Sequence, residues 1–335
     1  MRNQMARRAP QAAAAGRVAS TGRVAGWGTT RQAWTIFWAW VILFASATIA
    51  VAQPAATKPG AKKEEPPFEV VSIETRDGVR LRAAFFPSDK GKDAVPVLIL
   101  HEWGGQASPY LPLGLALKKA GCAVLIPDLR GHGGSNSYTT PTGESKEFDQ
   151  DRMGSADVKN ILTKDIESCK AFLKDKNDQE KLNLNALTLL GVREGCVLAM
   201  EWAVTDWNFP SIGSKKQGQD VKAMVLVSPE LIHKGFRVEK AFRDRFVWQL
   251  PTLIIAGKGS AEADHAETIH KRLLTLKKRA TRGEPKGLSL LMSNAKLSGV
   301  GLVKADPSVS KAIVDFVQSE VTANILQHRW IQRED

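Results

Sequence analysis

Five residues, Gly191-Val192-Arg193-Glu194-Gly195, separate a run that reads as a buried strand (185–190) from one that reads as a helix (196–202), leaving no room for a loop. Backbone passes that abruptly from extended to helical only through a strained turn. Glycines at both ends mark where a Cβ would strike neighbouring backbone. The fold must therefore feed strands straight into helices, and the rest of the chain reads the same way. Strands are expected at 68–73 and 79–86, joined by the hairpin turn Arg76-Asp77-Gly78, then at 96–100, 122–127, 223–227, 252–256 and 288–292. Helices are expected at 111–120, 156–173, 262–276 and 308–328. In the second of these, Val158, Ile161, Leu162, Ile166, Cys169, Phe172 and Leu173 form one apolar stripe. Two antiparallel strands followed by repeated strand–helix units predict an α/β domain with a mostly parallel sheet covered on both faces.

Residues 34–52 form an apolar stretch of 19, preceded by six arginines and no acid in residues 1–33. The positive-inside rule keeps that basic segment cytoplasmic and sends the remainder across the membrane. Ala50-Val51-Ala52 fits a signal-peptide cleavage site, whereas the length suits a transmembrane anchor, and both readings stay open. Either outcome makes the globular domain extracytoplasmic, secreted or membrane-anchored. Residues 53–67, rich in Pro, Ala, Lys and Glu, read as a flexible linker, and 68–335 as the domain. Net charge is +12, and half of it lies in the first 33 residues. With no stripe of basic and aromatic residues, nucleic acid is not an expected partner. Cys122, Cys169 and Cys196 are too scattered for a disulfide framework and read as buried thiols.

With arginine in place of serine, 191–195 resembles the G-x-S-x-G nucleophile elbow of the α/β-hydrolases. Three further stretches carry the resemblance in the right order. His101-Glu102-Trp103-Gly104-Gly105 is similar to the oxyanion-hole loop of dienelactone hydrolases and serine aminopeptidases. Asp128-Leu129-Arg130-Gly131-His132-Gly133-Gly134-Ser135 resembles the D-x-R-G-H-G-x-S loop, and Leu226-Val227-Ser228-Pro229 the end of the strand after the elbow helix. The likeness covers nearly everything from Phe68 and implies an α/β-hydrolase fold, a twisted and mostly parallel sheet with its first strands antiparallel.

The resemblance also implies a nucleophile, an acid and a histidine, and the sequence departs at all three. A guanidinium stays protonated and cannot attack a carbonyl, so Arg193 is no nucleophile. At the acid position, Gly257-Lys258-Gly259-Ser260 offers serine, and Asp264 reads as a helix-start capping residue. No histidine occurs between His270 and His328, so the expected loop 294–301 has no base to offer. No catalytic residue is therefore expected. Backbone N–H groups of Trp103 and Glu194, with Gly104 alongside and Arg193 at the floor, would suit a small anionic ligand. The alternative is that Arg193 folds onto Glu194 or Glu102 and seals the pocket as an ion pair.

His101 and His132 read as loop-orienting residues, His265 and His270 as helix-surface residues, and His233 as a loop residue. Asp264, His265 and His270 lack a metal-ligand pattern, so neither metal nor cofactor is expected. Three functions remain: a non-hydrolytic binder of a ligand or envelope partner, a structural envelope protein with a sealed pocket, or a serine or cysteine hydrolase using Ser228, Ser298 or Cys196. The sequence leaves ligand identity and oligomeric state open.

Overall fold

A hairpin of β1 (Glu69–Glu74) and β2 (Arg80–Phe86) starts the domain, its turn fixed by Gly78 at φ +78° and by Thr75 Oγ1 donating to Asp77 Oδ1 at 2.6 Å. The computed structural model describes residues 66–333 apart from 141, 214 and 282–284. The basic segment 1–33, the apolar segment 34–52 and most of the linker 53–67 lie outside the described residues. Among the described residues, no helix is long and apolar enough to cross a membrane.

Then come β3 (Pro96–Leu100), α1 (Leu111–Lys119), β4 (Ala123–Pro127) and a small hairpin of β5 (Ser137–Thr139) and β6 (Ser145–Glu147). Helix α2 (Ser155–Asn160) runs through a π-turn (Ile161–Asp165) into α3 (Ile166–Asp178). Strand β7 (Leu187–Val192), helix α4 (Glu194–Asn208) and strand β8 (Val221–Val227) follow. A two-residue ladder of β9 (Ile232–His233) and β10 (Phe236–Arg237) precedes α5 (Glu239–Arg243). The chain continues through β11 (Thr252–Gly257), α6 (Ala263–Ala280), β12 (Leu288–Ser293), α7 (Gly299–Ala305) and α8 (Pro307–Glu320).

The eight main strands pair in the order β1-β2-β4-β3-β7-β8-β11-β12, antiparallel for β1/β2 and β2/β4 and parallel from β4 onward. Side chains on β3 and β7 alternate between two cores, as period-2 geometry dictates. Leu98, Leu100, Leu187 and Leu189 pack toward α3 and α4, whereas Val97, Ile99, Leu190 and Val192 pack toward α1 and α8. From β3 the chain steps outward to β4 on one side and returns to β7 on the other. Their following loops therefore diverge and open a crevice beyond their carboxyl ends, the usual place for a site in such sheets.

Departures from the sequence reading are local. The strand expected at 185 starts at Leu187, because Leu184–Ala186 form a 3₁₀ turn in which Asn183 accepts from the Asn185 N–H. The helix expected over 156–173 contains the π-turn, which sets Asp165 in the interior facing Arg130. The helix expected to reach 328 ends at Glu320 and tightens into the 3₁₀ segment Thr322–Gln327. The loop expected over 294–301 becomes helical at Gly299.

Candidate functional site

At the elbow, Arg193 has φ 49° and ψ −115°, a region costly for any residue with a Cβ. The surroundings hold it there. Arg193 N–H donates to Val227 O at 2.9 Å, and Cys196 N–H returns to Arg193 O at 3.0 Å. A Cβ on Gly191 would lie 2.6 Å from Cys196 Cα, and one on Gly195 would overlap the carbonyl oxygen of Leu100. The turn has kept the strained geometry that lifts a nucleophile above the sheet, with arginine in that position.

The Arg193 guanidinium is held by groups from three other strand ends. Its Nη1 lies 2.9 Å from Glu262 Oε1, at the start of α6, and donates to Ser298 Oγ, just before α7, at 3.4 Å. Its Nη2 lies 3.1 Å from Glu230 Oε1, beyond β8, and 3.7 Å from Glu194 Oε1. His265 Nδ1 approaches the other Glu230 oxygen at 3.2 Å. Glu194 also turns its second oxygen onto the Trp103 backbone N–H at 3.1 Å. The donor expected to meet an external anion is thus met by a carboxylate of the chain itself.

Trp103, Arg193 and Glu194 therefore converge, while Gly104 is exposed at φ +77°. Glu102 does not reach Arg193; its carboxylate accepts from the Tyr110 hydroxyl. Asp264 sits exposed in the first turn of α6 and is not the cap, because Glu262 occupies that position and its side chain goes to Arg193. Glu230 and Glu262 are the residues that sequence reasoning missed. Counting three residues from Gly259 rather than Gly257 reaches Glu262, the one signal available for it.

The D-L-R-G-H-G-G-S stretch works as a structural clamp. Asp128 accepts from Ala107 N–H at 2.6 Å and Gly134 N–H at 2.8 Å, tying the loops after β3 and β4 together. Arg130 donates to fully buried Asp165 and to Asp77 on the β1–β2 turn. His101 Nε2 accepts from Leu129 N–H at 3.1 Å, so its proton is on Nδ1, which donates to Glu102 O at 2.7 Å. Burial keeps this ring neutral by pushing its pKa down.

His132 Nδ1 likewise donates to Arg130 O at 2.8 Å, while its Nε2 is buried with no hydrogen-bond partner among the described residues; its ring packs edge-on against Trp103, which also meets His233. Burial, then the neighbouring His101, pushes the His132 pKa down to about 4, although Asp128 and Glu194 oppose the shift. The unfolded chain takes up this proton near the ordinary value of about 6.5. Between those values the unfolded state binds more protons, so stability is expected to fall as pH drops from 6.5 toward 4 and then to level off. Urea unfolding at pH 7 and pH 4.5 checks this, and His132→Gln should show the smaller loss. Equal losses would assign the acid sensitivity elsewhere.

The other nucleophile candidates are engaged or inert. Ser228 Oγ is fully buried and accepts from Gly299 N–H at 2.9 Å, and Ser298 Oγ accepts from Arg193. Cys196 is fully buried, which raises its pKa well above the usual thiol value and keeps it protonated. None of the three has a histidine among its described hydrogen-bond partners. Among the described residues there is also no cluster of three or more His, Cys, Asp and Glu able to hold a metal.

Strand order, the elbow and its loops define an α/β-hydrolase fold, and solved structures agree. An esterase of Pyrococcus furiosus superposes with a TM-score of 0.53 at 18% identity, covering 76% of this chain and 93% of its own. A hyperthermophilic esterase of Pyrobaculum calidifontis gives 0.51 at 16% identity, covering 77% and 86%. The α/β hydrolase GrgF of a Penicillium species gives 0.51 at 12% identity, covering 76% and 99%. No model of a known protein family matches the chain. Uncharacterized proteins from two strains of Mycobacterium tuberculosis are each 36% identical over 89 residues, 27% of this chain. That match spans 32% of the relatives' own length.

Proposed function

We propose that this chain is an exported α/β-hydrolase-fold protein that does not hydrolyse, and that its catalytic crevice has become an internal ion-pair plug. One observation carries the reading: the nucleophile's position holds Arg193, bound to Glu230 and Glu262, while Glu194 fills the Trp103 N–H. Acyl transfer requires an activated nucleophile and an N–H open to the developing oxyanion. Here both places are taken by the protein's own charges. One guanidinium among three carboxylates leaves negative charge in excess, so the same geometry disfavours a small anion at Arg193. The sealed domain then acts in the envelope by contact with a partner rather than by turnover. In this reading residues 34–52 carry it across the membrane, as anchor or as cleaved signal.

The full-length protein is expected to leave short acyl esters at the buffer rate and to resist labelling by a serine-directed fluorophosphonate. Arg193→Ser should do the same, because no histidine is a described hydrogen-bond partner of residue 193 and the loop 294–301 carries none to activate the new hydroxyl. Stoichiometric labelling of any serine in the parent protein would sink the proposal in favour of a working hydrolase.

A further inference from the structure

The crevice is not the only place where charge gathers. At the opposite ends of β7 and β8 a cavity of about 460 Å³ is lined by Arg76, Lys170, Lys174, Lys215, Lys216 and Arg333. Leu184 in its wall precedes β7, and Asp220 behind it directly precedes β8. Arg193 lies beyond the far end of β7, a strand of six residues and so on the order of 20 Å long. The two places are separate.

Part of the basic cluster has a structural purpose. Lys170 donates to Asp206 at 2.7 Å and to Gln217 O at 2.8 Å, and it lies 3.1 Å from Asp220. Lys216 reaches Asp220 at 3.0 Å, and Arg333 bonds to Asp220 and Asn185. Asp206 has no acceptor capacity to turn outward, because its second oxygen takes the backbone N–H groups of Asp220 and Val221. This network fastens the C-terminal segment to the loop before β8.

The network does not account for the whole cavity. Lys174 is engaged, and among the described residues the other five basic side chains face three acidic ones, Glu167 in the wall and Asp206 and Asp220 behind, an excess of two positive charges. Glu167 is itself engaged, accepting from the Trp202 indole N–H at 2.7 Å. Arg76 and Lys215 are exposed and make no side-chain hydrogen bond or ion pair among the described residues. Arg333 is 8% exposed, and its Nε–H is buried with no acceptor among the described residues, a deficit a folded protein rarely tolerates without a ligand or water. Burial, with Arg333 nearby, also holds the Lys216 ammonium below its usual pKa despite Asp220.

We propose that this cavity binds a phosphate-bearing small molecule. The volume suits a small ligand, and convergent Arg and Lys donors suit a dianionic oxyanion better than a carboxylate carrying one charge. Phe209 in the same wall, 39% exposed, offers an apolar surface for the rest of the ligand. Calorimetric titration of the full-length protein with inorganic phosphate and with pyrophosphate tests this. Both should bind, acetate more weakly, and potassium chloride at matched ionic strength should not reproduce the effect.

Arg76→Gln with Lys215→Gln removes two groups outside the buried network. The unliganded unfolding midpoint should stay unchanged while phosphate affinity falls by about tenfold or more. Sedimentation with phosphatidylglycerol vesicles separates the two sources of the chemistry. Binding to these vesicles in excess of binding to phosphatidylcholine vesicles, which residues 34–52 can mediate, assigns a lipid headgroup if the double variant loses that excess, and binding of free phosphate without it assigns a soluble ester. Absence of binding by both phosphate and pyrophosphate, equal stabilisation by chloride, or unchanged affinity in the double variant would overturn the site.

Discussion

Arg193→Ala is expected to destabilise the domain by about 3 kcal/mol, read as a loss in urea unfolding. That figure sits at the lower end for breaking a buried ion pair, because the guanidinium is about a third exposed while Glu262 is almost wholly buried. Removing the arginine leaves the Glu262 carboxylate buried with no cation paired to it among the described residues, where its Oε2 already lacks a hydrogen-bond partner. Two further variants identify the cause. Glu262→Gln in the Arg193→Ala background should recover much of the loss, since a neutral amide replaces a stranded charge. Arg193→Gly should be more stable than Arg193→Ala by about 1 kcal/mol, because only glycine occupies φ 49°, ψ −115° without strain. Residue 193 is also the N-cap of α4, where glycine is preferred to alanine, so strain and capping act in the same direction. An Arg193→Ala protein as stable as the parent, with acetate or phosphate binding present in the parent and lost in the variant, would instead make Arg193 an unpaired ligand anchor.

The fold was legible because strand and helix patterns are local, and four motifs marked the ends of particular strands. The short elements escaped because tertiary context creates them. The π-turn at Ile161–Asp165 exists where Arg130 and Asp165 meet, a pairing 35 residues apart that no window of sequence contains. Helix α7 begins at Gly299, whose N–H is fixed by Ser228 Oγ from another strand end. The site was half legible for the same reason. That Arg193 needs an acid followed from its expected burial, and Glu194 was visible as its neighbour. Glu230 and Glu262, the closer partners, lie 37 and 69 residues away, and only the strand order β7-β8-β11 brings them together.

Gly195→Ala is expected to cost about 4 kcal/mol or more, or to leave no soluble protein, although this position is in the first turn of a helix. Elsewhere in a helix the exchange stabilises, because alanine surrenders less backbone entropy than glycine, by about 0.5–1 kcal/mol. Gly301 in α7 is the matched control, with nothing within 4 Å of where its Cβ would stand, so Gly301→Ala should be neutral or stabilising. At Gly195 the new methyl would overlap Leu100 O and lie 2.8 Å from His101 O, both main-chain atoms at the end of β3. Neither can turn aside as a side chain would. The pairing of Leu100 with Gly191 fixes β3 against β7, so the strain must lift α4 from the β3 end. Lifting α4 carries Glu194 away from Trp103 and Arg193 away from its acids, so elbow and plug should fail together. A Gly195→Ala protein as stable as the parent would mean that α4 does not rest on the β3 carbonyls, and the elbow geometry would fall with it.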